Sequence, residues 1–197
     1  GRVGEGELRI RDNRKPINAM QMIHKSILTT LVAACAAVSC AQKPATMKQA
    51  AEGLFLVGTA LNERQITGRD TAAVRVACEH FNAIVAENCM KSESLHPERD
   101  RYTFDMADRF VEFGERNGMA VTGHTLIWHS QLPRWFVYGD DGELRSAEEL
   151  KAIMKEHIHT VVSRYKGRVK GWDVVNEAIM EDGSYRRSPF YEILGEE

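Results

Sequence analysis

At 197 residues the chain has the length of one ordinary domain or of part of a larger one, and its composition, 43% hydrophobic and 27% charged, is that of a globular protein. The 26 Lys and Arg against 28 Asp and Glu leave a net charge of -2, with no long run of one sign. That balance argues against a nucleic-acid or anionic-membrane footprint and favours a neutral or weakly charged ligand.

Residues 1–40 read as an address and not as a fold. Basic His24-Lys25 precedes an apolar run over 27–38. The run is too short to span about 30 Å of hydrocarbon, and the pattern is that of a signal peptide. It ends in Val32-Ala33-Ala34-Cys35 and again in Ala37-Val38-Ser39-Cys40. Small residues before a Cys resemble the processing site of bacterial lipoproteins. Cys40 is the favoured lipidation site because it leaves the longer apolar region; Cys35, or a plain secretory signal, is the alternative. Residues before Met20 or Met22 read as upstream read-through or a tail, and 41–53 as a linker. The expected location is secreted or in a bacterial cell envelope, lipid-anchored at the outer membrane or in the periplasm, with any membrane contact made through that anchor.

From Leu54 onward strand-like and helix-like segments alternate, which predicts β/α units on a parallel sheet. The first strand is expected over 54–61, closing on Asn62-Glu63. Asp70 then starts a helix over 70–81 with Ala73, Val74, Ala77, Cys78 and Phe81 on one face. A second strand over 83–86 ends in Glu87-Asn88, and a helix over 105–117 stops at Asn117-Gly118. A third strand covers 120–125 and leads into an aromatic-rich loop. Ser146-Ala147-Glu148-Glu149 is a capping box opening a helix that keeps its period through Leu150, Ile153, Met154, Ile158, Val161, Val162 and Tyr165. The fourth strand is Gly171-Trp172-Asp173-Val174-Val175, and it delivers Asn176-Glu177. Ser188-Pro189 is a further helix start.

The end of that fourth strand is the chemical centre of the sequence. In a parallel α/β barrel the carboxyl ends of the strands form the mouth where catalytic groups collect. Glu177 is placed there as a candidate general acid/base with Asn176 beside it; the alternative is a strand-end Glu that caps the next helix or pairs with an Arg. The loop after strand three, 123–135, mixes flat aromatic faces with neutral donors and acceptors, which suits a sugar: its C–H face packs on Trp128 and Trp135 while hydroxyls meet His, Gln and Asn. A packed lid is the competing reading for the two tryptophans. No metal is expected, since His124 and His129 lack the His-Glu-x-x-His arrangement and His157 and His159 point to nearly opposite faces of one helix. Cys78 and Cys89 sit among apolar neighbours and are expected to be buried free thiols.

Three segments, Glu87-Asn88-Cys89-Met90-Lys91, 123–133 from Gly123-His124-Thr125 to Leu132-Pro133, and Trp172-Asp173-Val174-Val175-Asn176-Glu177, closely resemble family 10 glycoside hydrolases, mostly endo-β-1,4-xylanases, in order and spacing. The resemblance covers 54–197 and implies a (β/α)8 TIM barrel of which the first four β/α units are present, a retaining mechanism, xylan or xylo-oligosaccharide as the partner, and no cofactor. Position by position it makes Glu177 the acid/base and Asn176 the amide supporting the sugar's 2-hydroxyl. His124, Trp128 and Gln131 become the wall of the subsite at the cleavage point. Glu87, Asn88 and Lys91 become the next sugar site on the non-reducing side. Ser92 stands where the family often has Trp, and Arg99-Asp100 where a Gly turn is common.

The resemblance also implies a nucleophilic Glu at the end of strand seven, which these residues do not include. Retaining hydrolysis needs two carboxyl groups about 5 to 5.5 Å apart. Glu87 ends strand two, and two inter-strand steps of roughly 4.8 Å put it near 10 Å from strand four. The chain by itself is therefore expected to be inactive, an amino-terminal half of a catalytic domain. A non-catalytic sugar-binding fragment and a β-1,4-glucan hydrolase are the alternatives.

Overall fold

The computed structural model of the protein describes residues 45–196; the leader, Cys35, Cys40 and positions 41–44 of the linker lie outside the described residues. Along the chain, α1 (Met47–Ala50) precedes β1 (Gly58–Leu61), α2 (Glu63–Ile66) and α3 (Thr71–His80). Then come β2 (Ala83–Ala86), α4 (Ser92–Leu95), α5 (Asp105–Arg116) and β3 (Ala120–Ile127). A 3-10 turn at Arg134–Phe136, α6 (Ala147–Arg164), β4 (Gly171–Val175) and α7 (Pro189–Leu194) complete the order. The four strands form one parallel sheet in chain order, β1-β2-β3-β4. Parallel neighbours need crossover connections, which the helices supply. All strand carboxyl ends therefore meet on one rim, where Asn62, Glu87, Trp128 and Asn176 follow the last strand residues.

Local chemistry fixes the helix starts. The Asp70 carboxylate accepts the Ala73 N–H at 3.1 Å, capping α3. At α6 the Ser146 hydroxyl accepts the Glu149 N–H at 3.3 Å while Glu149 accepts the Ser146 N–H at 3.0 Å, a reciprocal cap. Helix α5 ends where Asn117 precedes Gly118 at φ 63, a left-handed position that glycine adopts without penalty. The core lies between sheet and helices, with Ile84 and Val121 facing Phe110, Val111, Leu150 and Val161, all essentially inaccessible. Arg164 with Asp108 and Arg168 with Glu115 tie α6 and the turn after it to α5.

Several local expectations change. Strand β1 starts at Gly58 and not at Leu54: pairing begins where the Asn82 side chain accepts the Val57 N–H at 2.7 Å, and Leu54, Phe55 and Leu56 are exposed. β3 runs two residues past Thr125, because Ile127 registers with Val175 and accepts the Asn176 N–H across a bulge. Part of the expected linker folds as α1, whose Lys48 ammonium donates to the Cys78 carbonyl at 2.7 Å. Helices α1, α2 and α4 are single turns, too short to show a period. Cys78 is half-buried, not buried, and reaches Asn117 Oδ1 at 3.3 Å. Cys89 is buried, and burial pushes its thiol up to about 12; both thiols are free.

One glycine is required by close approach. A Cβ on Gly123 would stand 2.1 and 2.2 Å from ring atoms of Trp172, its register partner on β4. Gly123→Ala is thus expected to destabilise the protein by about 1–3 kcal/mol through overpacking. The denaturation midpoint measures it, and a variant as stable as the parent would mean that the indole swings aside freely.

Candidate active site

The sheet alternation that sends Gly123 and Trp172 to the helix side sends His124 and Asp173 to the opposite face. There His124 Nδ1 donates to Asp173 Oδ2 at 2.9 Å, which fixes the ring's tautomer and leaves Nε2 free. The Thr125 hydroxyl donates to the Asp173 carbonyl at 2.8 Å and locks the two strands in this register.

Around the next turn, Trp128 Nε1 donates to Glu177 Oε2 at 3.0 Å. An indole N–H is a donor only, so Oε2 must keep a lone pair toward it. Glu177 itself has φ 54, a left-handed conformation disfavoured for a residue with a Cβ, at the point where the backbone leaves β4. Its side chain is 48% exposed, open to a substrate. His129 Nε2 stands 3.9 Å from the same Oε2, and Arg186 Nη2 stands 3.8 Å from it. Burial holds the His129 imidazole below its usual range, the Arg186 charge adds to that, and Glu177 opposes it.

A second cluster abuts the first. Lys91, only 8% exposed, donates to Gln131 Oε1 at 2.6 Å and to Asn88 Oδ1 at 3.1 Å, and its ammonium lies 4.8 Å from the Trp128 ring centroid. Gln131 Nε2 donates to Asn88 Oδ1 at 3.2 Å. Gln131 also has positive φ, 45, with its carbonyl held by the Glu93 N–H at 2.9 Å. Ser92 is buried and donates to the Leu126 carbonyl at 3.0 Å, tying this loop to β3.

The structure thus joins Asn88, Lys91, Gln131, Trp128 and Glu177 in one contiguous chain of contacts. His124 lies beside them, 6.4 Å ring to ring from Trp128. Asn176 shares a hollow with Trp128, His129, Glu177, Tyr185 and Arg186. Glu87 lies outside this chain of contacts but beside Asn88: it is exposed and borders a depression with Asn62, Arg64 and Asn88. Trp135 is no platform in this arrangement. Its indole N–H donates to the His96 carbonyl at 3.3 Å and its ring packs edge-on to His96, the lid arrangement.

Sequence reasoning passed over Asp173, His129 and Arg186. Asp173 had a signal, a carboxylate breaking an otherwise apolar strand. Arg186 had none, because a hairpin brings it back from nine residues downstream. Among the described residues, no group of three or more His, Cys, Asp or Glu side chains could hold a metal ion, and no helix is long and apolar enough to cross a membrane.

Parallel β/α units with their polar groups gathered at the carboxyl rim define a protein of the (β/α)8-barrel class. The family model described as "Glycosyl hydrolase family 10" matches residues 46–197, and the chain belongs to that family. It is 50% identical over 155 residues to endo-1,4-beta-xylanase A of Xylanibacter ruminicola, covering 79% of this chain and 42% of that protein. It is 48% identical over 124 residues to endo-1,4-beta-xylanase B of Thermotoga neapolitana, covering 63% of this chain and 35% of that protein. Among solved structures, a GH10 endoxylanase from a sugarcane soil metagenome superposes with TM-score 0.72 at 44% identity, over 76% of this chain and 44% of that one. Xylanase 10B of Thermotoga petrophila in complex with xylobiose does so with TM-score 0.71 at 42% identity, over 79% of this chain and 47% of that one. The chain spans less than half the length of these relatives.

Proposed function

We propose that the protein of which these residues form the amino-terminal part of the barrel hydrolyses internal β-1,4-xylosidic bonds of xylan by a retaining double displacement. Glu177 protonates the leaving oxygen and later deprotonates water, while a second carboxylate, contributed outside these residues, attacks the anomeric carbon. Trp128, His124 and Gln131 wall the subsite at the cleavage point, Asn176 supports the 2-hydroxyl, and Glu87, Asn88 and Lys91 hold the preceding sugar. The observation that carries the reading is the Trp128 bond to Glu177 Oε2, which fixes the carboxyl at the mouth of the sheet beside the indole that would wall the subsite.

The test is a hybrid in which residues 46–197 replace the aligned segment of the 50%-identical relative, whose remaining length supplies the rest of the barrel. Release of reducing sugar from xylan is the expected result. A folded hybrid that leaves xylan intact, or prefers β-1,4-glucan, would overturn the assignment.

The apolar run and the small residues before Cys40 support a lipoprotein signal, a mature terminus at Cys40, and a lipid anchor holding the protein at the bacterial envelope. Mass spectrometry of the native amino terminus is expected to find a diacylglycerol adduct on Cys40; an unmodified terminus elsewhere would sink the anchor.

A further inference from the structure

From the contacts around Glu177 we infer that Arg186 is a positioning residue for the acid/base carboxyl, clamping the strained backbone of Glu177 and holding its Oε2 toward the Trp128 N–H. The inference rests on the reading of Glu177 as the acid/base.

Residues 178–186 form a hairpin beyond β4, with Ile179 bridged to Tyr185 and the Met180 N–H donating to the Ser184 carbonyl at 2.8 Å. Its returning arm ends at Arg186, whose backbone N–H donates to the Ala178 carbonyl at 2.8 Å. The side chain then turns back, and Nε donates to the Glu177 carbonyl at 2.7 Å. One residue thus holds both carbonyls that follow the left-handed turn at Glu177. On the other side of the turn, the Asn176 N–H is held by the Ile127 carbonyl at 2.9 Å. A residue with a Cβ stays at positive φ only where its surroundings over-determine it, and these three bonds do so. Released from Arg186, the backbone relaxes toward negative φ and carries the carboxyl away from Trp128.

The same guanidinium works on the carboxyl electrostatically. Nη2 faces Oε2 at 3.8 Å, on the oxygen that already accepts the Trp128 N–H. A fixed positive charge and a donor on one oxygen hold the carboxyl in one orientation by that oxygen. Lys cannot reproduce this, because a single ammonium lacks the planar fork that reaches a carbonyl and a carboxylate at once.

Arg186→Ala and Arg186→Lys in the hybrid test the inference. A displaced acid loses part of its contribution, so kcat/KM on xylan should fall about tenfold in Arg186→Ala, while an aryl xyloside with an activated leaving group, whose first step needs no proton, should lose less than about twofold. Free guanidinium ion should restore part of the loss, and Arg186→Lys should not regain the parent rate. A second measurement needs no turnover: the Trp128 indole N–H resonance, assigned with Trp128→Phe, should move in Arg186→Ala as its bond to Oε2 loosens. Equal losses on both substrates, or an unmoved indole resonance, would reduce Arg186 to a staple of the hairpin. If Glu177→Gln leaves the hybrid fully active, the acid/base reading fails, yet the indole resonance still decides whether Arg186 holds the carboxyl.

Discussion

Glu177→Gln is expected to lower turnover of xylan by about 10² or more in the hybrid, because an amide of the same shape accepts the Trp128 N–H but has no proton to give. The loss should depend on the leaving group. An alkoxide departing from xylan needs protonation as the bond breaks, whereas an activated phenolate departs unaided, so the first step on an aryl xyloside should be nearly spared. The second step still lacks its base, and the covalent glycosyl intermediate should accumulate as a burst of phenol ahead of slow turnover. Equal losses on both substrates with no burst would make Glu177 a structural residue. Chelator should leave the activity intact, since no metal enters the proposed reaction.

Acid should loosen the protein through a buried histidine pair that takes no part in the proposed reaction. His96 and His157 are fully buried, their rings parallel, with the two Nδ1 atoms 3.3 Å apart. His96 Nε2 is committed to the Arg99 carbonyl at 3.0 Å, so in the neutral pair the proton between the rings belongs to His157. His157 Nε2 is buried and makes no well-formed hydrogen bond, the Leu126 carbonyl being its near neighbour. Burial above all, then the neighbouring His96, pulls His157 down to about 4, against a smaller upward pull from the Leu126 backbone. Burial also lowers His96, opposed first by its hydrogen bond to the Arg99 carbonyl and then by the Glu156 and Asp100 charges, while the Arg99 guanidinium reinforces the shift. A depressed histidine folds best when neutral. Its stabilisation is complete above the unfolded value near 6.5 and drains as pH falls toward 4, on the order of 3 kcal/mol for His157 over that window. Denaturant midpoints at pH 7 and pH 4.5 should therefore differ strongly in the parent and less in His157→Gln. A variant that retains the full pH dependence would clear the pair of responsibility.

Elements with a local physical signature were legible in the sequence. The Asp70 cap, the Ser146-Glu149 box and the Asn117-Gly118 stop all act within a few residues, and the helices they bound lie within a residue or two of expectation. β2 reads correctly because both of its ends are punctuated by polar residues. Strand β1 was overextended because Leu54-Phe55-Leu56 is apolar without being buried, and apolarity alone cannot say which backbone groups find partners. In the site, the carboxylate, amides and indole could be placed at strand ends, but their pairing could not: Lys91 meets Gln131 across 40 residues and Trp128 meets Glu177 across 49. The inward turn of Trp135 depends on His96, which no periodic pattern singled out.

The sheet order has a consequence for the route by which the chain reaches this structure. Gly58 pairs with Ala83, 25 residues on; Ala83 with Ala120, 37 on; and Thr122 with Gly171, 49 on. Closing each successive loop costs more chain entropy, by about 0.6 kcal/mol for every doubling in length. The sheet therefore grows most cheaply in the direction in which the ribosome delivers it, each strand docking on the one made before. β4 closes the longest of these loops. The strand that leads into Glu177 is then the last of the four to join, onto a platform that the first three have already made.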